Sequence, residues 1–340
     1  VQREDDEPSA YFEELDSNSG LEDPPITEVP RPLTTSALVA TLRQNLSGAN
    51  SQTSAGLLKT LAQSQIHSAD PTNWTGSLPI SSTESVVGPD DNVPVSPSGA
   101  ESFTECGVKW FLEKSGGTNG DSSAQILGSA IHEFARIKVE EPGITDADLI
   151  AKLQSAWSLI DPTDGWVSTS ALKRAVKMLE RFARYHAATT RDVVGAELNF
   201  TIQVGRATIR GNVDRVEVDS DGKFYIIDFK TGKNVISKAD AQENLQLACY
   251  QLGVILDGFE EKLKGVEVSG SELVFLANKT QKVTTRVREP INAQEIQETI
   301  EVIAEGMGAA TFTARKSDMC SRCPVKPSCP LHLEGRAVHQ

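Results

Sequence analysis

Gly211-Asn212-Val213-Asp214-Arg215 and, after a short turn, Ile226-Ile227-Asp228-Phe229-Lys230-Thr231-Gly232 decide how this chain folds. They lie in three β-rich runs, Val193–Val204, Ala207–Val218 and Lys223–Lys230. Gly205-Arg206 puts Gly first in a two-residue connection, the sequence of a type II′ hairpin. Val204 then pairs with Ala207, and Glu197 with Asp214. Ser220-Asp221-Gly222 is a three-residue loop with Gly in the left-handed position, a type I turn with a G1 bulge. Asp219 then faces Lys223, and Asp214 faces Asp228. Cross-strand partners share a face, as do residues i and i+2 of one strand. One face is therefore expected to carry Glu197, Asp214 and Asp228, with Lys230 two positions beyond Asp228. A two-residue second loop would turn Asp214 to the other face.

Carboxylates directly opposite one another lie roughly 5 Å apart at Cβ and repel. A divalent cation answers that repulsion, since Mg²⁺ takes one or two carboxylates plus water and phosphate oxygens. Lys230 beside it would stabilise charge building on a phosphate. The alternative is a solvated strand face with Asp228 and Lys230 as a surface pair. Phe224, Ile226, Ile227 and Phe229 surround Asp228 with apolar neighbours, and a buried carboxylate without a partner is costly. That favours the chemical reading.

Composition agrees with a folded chain of moderate core. The 340 residues are 39% hydrophobic and 6% aromatic, with 33 basic and 47 acidic side chains for a net −14. Residues 1–30 hold ten acids against Arg3 alone, so the rest carries only −5. Net charge speaks to solubility and steering and does not exclude a DNA site. No apolar run reaches the roughly 18 residues of a membrane span, and the start lacks a secretory pattern. Five cysteines, three of them within Cys320–Cys329, read as a metal or cluster site in a reducing compartment, so a cytoplasmic location is expected. No nucleotide-binding Gly-x-x-x-x-Gly-Lys-Ser/Thr loop occurs.

The expected organisation is an acidic disordered tether over 1–33, a helical linker and long loop over 34–98, a main domain over 99–335 and a tail over 336–340. Within the linker, Leu38, Leu42 and Leu46, then Leu57, Leu58, Leu61 and Ile66, recur at helical spacing. Residues 67–99 read as loop. Helical patterns over about 100–114, 123–140, 145–160 and 169–189 precede the three β runs. A helix near 239–256, strands near 266–277 and 281–288 and a helix near 292–308 follow. The fold class is α+β, a central mixed sheet with an antiparallel meander flanked by helices.

These residues resemble the core of the PD-(D/E)XK nuclease superfamily, with its restriction-endonuclease-like fold, and more narrowly its RecB-type branch. Gln246-Leu247-Ala248-Cys249-Tyr250 is similar to that branch's Gln-x-x-x-Tyr helix, and Gly128-Ser129-Ala130-Ile131-His132 to its helix with an inward His. The resemblance covers roughly 97–335. It implies a Mg²⁺- or Mn²⁺-dependent, exonuclease-like deoxyribonuclease with His132, Asp214 and Asp228 as metal ligands. Asp214, Asp228, Lys230, Gln246 and Tyr250 form its catalytic set, and the expected products are a 5′-phosphate and a 3′-hydroxyl. From the residues alone, His132 reads first as a satisfied core or surface histidine, and Gln246 and Tyr250 as helix-to-sheet packing. Glu197 reads as a supporting or structural carboxylate. Gly128 would let its helix approach the sheet closely.

Cys106, Cys320, Cys323 and Cys329 form a second constellation. Spacing alone fits zinc or iron–sulfur. The one-plus-three layout resembles AddB and Cas4-like nucleases, which implies a [4Fe–4S] cluster stapling the tail to the first core helix across 213 residues. Gly107 departs from the Pro usual there. Cys249 reads as a small buried hydrophobe. Lys173, Arg174, Lys177, Arg181 and Arg184, with Arg191, make a basic helical stripe that is either a solvated face or a DNA backbone contact. Arg315, Lys316, Arg322 and Lys326 form a second basic candidate. The leading helices and Asp70-Pro71-x-x-Trp74-x-Gly76 resemble the AdnA/AdnB-type helicase–nucleases. That implies break-end resection in DNA repair, single-stranded or unwound ends as substrate, and a helicase motor domain or partner subunit. The competing expectations are a catalytically silent iron–sulfur DNA-binding scaffold and a zinc-stapled interaction domain.

Overall fold

The computed structural model describes residues 34–74, 83–116, 123–161, 163, 165–259, 263–278 and 283–332. The expected tether over 1–33 and tail over 336–340 lie outside them. The chain divides into two compact units, with the break between residues 79 and 80. The division thus falls inside the segment expected to be linker and loop, and residues 83–98 belong with the main unit.

In the smaller unit, α1 (Thr35–Gln44) and α2 (Ser51–Gln63) cover each other's apolar stripes. Val39, Leu42, Leu58 and Ala69 form its core. Thr34 caps α1 by accepting from the Ala37 N–H, the usual use of Thr before a first turn. The Trp74 indole donates to the Ser68 carbonyl at 2.9 Å and stacks under Arg43. Residues 67–73 thus close a small core in short 3-10 turns.

The main unit is built on a mixed sheet. Its strands are β1 (Val93–Val95), β2 (Asp192–Val204), β3 (Ala207–Val218), β4 (Phe224–Lys230), β5 (Val268–Phe275) and β6 (Thr284–Arg288). β1 lies in the stretch expected to be loop; three residues are too short to give a period-2 signal. The helices are α3 (Pro97–Glu105), α4 (Gly107–Lys114), α5 (Ser123–Glu140), α6 (Asp146–Ile160), α7 (Trp166–Ala188), α8 (Lys238–Gln242), α9 (Leu245–Ile255) and α10 (Ala293–Gly308). Two expected helices are split, at Cys106 and at Asn244. Asn244 begins a new helix by accepting from the Leu247 N–H.

The sheet follows the order β1-β3-β4-β5-β6, with β2 also on β3. Both turn readings hold. Val204 pairs with Ala207, the Asp219 N–H donates to the Lys223 carbonyl, and Gly222 takes φ +77°. β3 has β2 along one edge and shares the other between β1 at Ala207–Ile209 and β4 at Arg215–Val218. The α3–α9–α10 layer packs Ala100, Leu247, Leu252 and Ile300 on one face, against Ile226 and Phe224. The α5–α6–α7 layer packs Ile131, Leu153, Leu179 and Phe182 on the other, against Ile227 and Phe229. β4 is buried on both faces, so it reads as a near-continuous apolar run interrupted by Asp228. Among the described residues no helix is long and apolar enough to cross a membrane.

Candidate active site

The β3–β4 ladder ends at Arg215 and Ile227. Beyond it β4 runs on, paired only with β5, and its backbone N–H groups on the β3 side need new partners. Asp214 supplies one: its Oδ2 accepts from the Phe229 N–H at 2.6 Å. The parting of the two strands therefore opens space at Asp214 and fixes that carboxylate in the gap. Its Oδ1 lies 3.2 Å from Nδ1 of His132. α5 brings His132 close because Gly128, one turn earlier, faces Thr231 at the end of β4. A Cβ there would stand 2.9 Å from the Thr231 hydroxyl.

Glu197 joins them. Its neighbours Ala196 and Leu198 pair with Arg215 and Val213, so the register sets Glu197 opposite Asp214. Its φ is +51°, the left-handed region that a non-glycine residue occupies only where the surroundings hold it. Asn212 donates to its Oε2 at 2.7 Å, and its Oε1 is 3.9 Å from His132 Nδ1. Ligand atoms of His132, Glu197 and Asp214 all lie within 4.8 Å of one another. They line a groove of about 920 Å³ with Asn199, Asn212 and Thr231.

Asp228 and Lys230 stand next to this trio, on the α9 side of β4. Asp228 is 3% exposed and its Oδ2 is 2.9 Å from Lys230 Nζ. Lys230 Nζ also donates to Oε1 of Gln246, whose Nε2 donates to the Tyr250 hydroxyl at 2.8 Å. Asp228, Lys230, Gln246 and Tyr250 thus form one connected chain. Gln246 holds the lysine, and Tyr250 anchors Gln246.

The electrostatics are those of a site short of positive charge. Burial, then the charge of Asp214, pushes the Asp228 carboxyl up to about 6 despite Lys230. Burial and Asp214 likewise hold Glu197 above the usual carboxylate range. For His132, burial opposes protonation, but the Asp214 hydrogen bond and the charges of Asp214, Asp228 and Glu197 outweigh it and raise its pKa. Lys230 follows the same pattern: burial works against its charge, and Asp228, Asp214 and Glu101 together raise its pKa. Three acids with one firm cation suit a hard divalent ion, for which oxygen and imidazole donors are appropriate.

Glu101 belongs to no motif in the sequence. It sits on α3, accepts from the Asn244 side chain at 2.6 Å, and burial raises its pKa while Lys230 works against that rise. Only the packing of α3 on α9 brings it there. No sequence signal marks it.

The cysteines gather less closely. Cys106 ends α3 and precedes α4. The tail returns to that junction: the Val108 N–H donates to the Thr313 carbonyl, and Arg315 donates to the Thr104 carbonyl at 2.6 Å. Gly107 suits this approach, since a Cβ would meet Thr313 O at 3.3 Å. Burial raises the Cys323 thiol, and Cys329 and Cys106 add to the rise as neighbours. Cys323 N–H donates to the Cys320 carbonyl. Among the described residues no three of these sulfurs lie within 4.8 Å of one another. Cys249 is fully buried in the core, its thiol pushed up to about 12 by burial.

The basic stripe divides. Arg174, Lys177 and Arg181 line one groove, with Arg181 donating to the Leu276 carbonyl. Lys173 and Arg184 lie on α7 outside that lining. Arg191 turns inward to Glu217 and Glu272 and covers Tyr225 at 3.9 Å, which makes it structural.

Residues 94–330 match the PD-(D/E)XK nuclease superfamily, and the chain belongs to it. No curated protein matches. Among solved structures the chain is similar to SSO0001, at 16% identity and TM-score 0.31, covering 65% of this chain and 93% of that one. It is also similar to a protein from Eubacterium rectale provisionally described as an exonuclease, at 14% identity and TM-score 0.39, covering 67% and 86%. The family match establishes the fold and the nuclease class that the resemblance of the motifs implies.

Proposed function

We propose that the chain is a divalent-metal-dependent deoxyribonuclease domain that hydrolyses DNA strands from ends, as the cutting part of a helicase–nuclease in break-end resection. The observation that carries this reading is the acid cluster at the parting of β3 and β4, with Lys230 held beside it by Gln246. His132, Asp214 and Asp228, joined by Glu197, would hold Mg²⁺ or Mn²⁺. The bound cation would supply charge neutralisation and Lewis acidity for attack of water on a phosphodiester. Lys230 directs a fixed positive charge at the phosphate, where charge builds in the transition state. Gln246 sets the direction of its Nζ, and Tyr250 fixes Gln246. Asp214, tied to the Phe229 N–H through Oδ2, keeps Oδ1 beside His132 at the groove. The bond broken on this reading leaves a 5′-phosphate and a 3′-hydroxyl.

The helicase–nuclease part of the reading rests on the resemblance of the motifs. Cys106, Cys320, Cys323 and Cys329 are four thiols around one junction. We read them as ligands of a [4Fe–4S] cluster that staples the tail to α3–α4, in a reducing, cytoplasmic setting. A brown protein with absorbance near the violet supports iron–sulfur; a colourless protein containing zinc supports the alternative. The function itself is tested by degradation of single-stranded DNA with Mn²⁺ or Mg²⁺, comparing the chain with Asp228→Ala at equal folding. Cutting lost in the variant is the expected result. No cutting by either folded protein would favour the silent DNA-binding scaffold.

A further inference from the structure

A second groove, of about 930 Å³, lies between α5, α7 and the loop after β4. It shares Thr231 and Gly232 with the acid groove, so the two adjoin at the end of β4. Their linings differ sharply. The acid groove is polar and anionic, whereas this one combines cations with apolar surface. Arg174, Lys177 and Lys233 stand at its walls. Among the described residues, neither Arg174 nor Lys177 has an ion pair with any carboxylate, in a chain with a large excess of acids. Among the described residues the acid in the lining is Asp161, which is occupied locally: its Oδ1 accepts from the Thr163 N–H and hydroxyl. Between the cations, Ile126 and Val167 remain 43% and 53% exposed.

Apolar surface beside unpaired cations suits a ligand that offers both apolar faces and negative charge. The ligand that fits must be anionic at regular intervals and must present flat apolar faces. An unpaired nucleic-acid strand has both, phosphates outside and bases free to lie on an apolar floor. A duplex keeps its bases stacked inside and offers phosphates alone, so the floor would gain nothing from it.

We infer that this groove seats an unpaired DNA strand, phosphates on Arg174, Lys177 and Lys233 and bases against Ile126 and Val167, and passes it over Thr231–Gly232 to the acid site. The inference rests on the nuclease reading for its destination, but the binding it describes does not need hydrolysis.

The test is fluorescence anisotropy of a labelled oligothymidylate with the full chain in EDTA. A duplex, heparin and polyglutamate serve as competitors. Arg174→Glu/Lys177→Glu should weaken oligothymidylate binding at least tenfold and lower the salt slope by roughly 0.7 for each phosphate no longer neutralised. Lys233→Glu, on the loop and not the helix, should weaken it as well. Val167→Asp, at an exposed position, should weaken the oligothymidylate but not heparin. Unchanged binding by the folded double variant would overturn the groove. So would duplex, heparin or polyglutamate binding that is as tight and equally sensitive to Val167→Asp. Metal-dependent cutting by the wild type together with unchanged binding by the double variant sinks the groove and leaves the nuclease. Groove-dependent binding with no cutting under any metal does the reverse.

Discussion

Asp214 and Arg215 are neighbours on β3, yet they belong to two charged clusters built on opposite terms. Arg215 and Glu217 are fully buried, paired at 2.5 Å, with Arg215 also donating to Nδ1 of His186 at 2.8 Å. Arg191 bridges Glu217 and Glu272, and the Tyr185 hydroxyl donates to Glu272. Two arginines meet two glutamates, and the cluster is neutral within itself. On the other side of Asp214, Glu197, Asp214 and Asp228 have Lys230 and a titrating His132. Burial of a balanced network fixes a strand register; burial of an unbalanced one stores a demand for positive charge. That difference separates scaffold from site within a few residues of a single strand.

The comparison breaks if the two clusters respond alike. The largest effect is expected at Lys230. Lys230→Ala removes the cation paired with Asp228 and should slow single-strand cutting per folded molecule about 10²–10³-fold, measured as initial rate at saturating Mn²⁺. Removing one partner of the balanced cluster should do the opposite. Arg215→Met leaves Glu217 short of a partner in a dry environment and should cost about 3–5 kcal/mol in urea unfolding, while cutting per folded molecule is retained.

A smaller effect separates the clusters without any substrate. Mn²⁺ or Mg²⁺ at ten to a hundred times its dissociation constant should stabilise the wild type by roughly 1.4–2.7 kcal/mol. A thermal shift that survives Glu197→Gln combined with Asp214→Asn would place the cation elsewhere. A further effect is in pH. In the metal-free protein Asp228 titrates near 6, above its ordinary value of 3.8, so the folded state holds this proton more tightly than the unfolded chain. The stability this provides is present below about pH 4 and is lost as pH rises through about 6, a change of about 3 kcal/mol. Asp228→Asn should flatten that part of the profile and stabilise the metal-free protein at neutral pH.

Turn chemistry makes the centre of the site legible. Gly205-Arg206 and Ser220-Asp221-Gly222 set two hairpin registers, and period-2 geometry then puts Glu197, Asp214 and Asp228 in one row. What local pattern cannot show is where the row is interrupted. The ladder stops at Arg215, so Asp214 caps a backbone N–H and Asp228 turns to Lys230, while the strained Glu197 joins His132. Register predicts who stands opposite whom, but strand separation depends on both sheet neighbours at once. Glu101 and β1 escape the sequence for a related reason: one reaches the site through helix packing, the other is too short to show a period. Arg191 groups with the basic stripe in the sequence because a run of charges does not reveal which member is turned inward.

The central claim is tested most directly by one paired assay: Mn²⁺-dependent cutting of single-stranded DNA by Asp214→Asn and Arg215→Met, each corrected for the folded fraction. The account predicts an Asp214→Asn protein that is at least as stable as the wild type and does not cut, and an Arg215→Met protein that is weakly folded and still cuts. Cutting that survives in Asp214→Asn at the wild-type rate would contradict it.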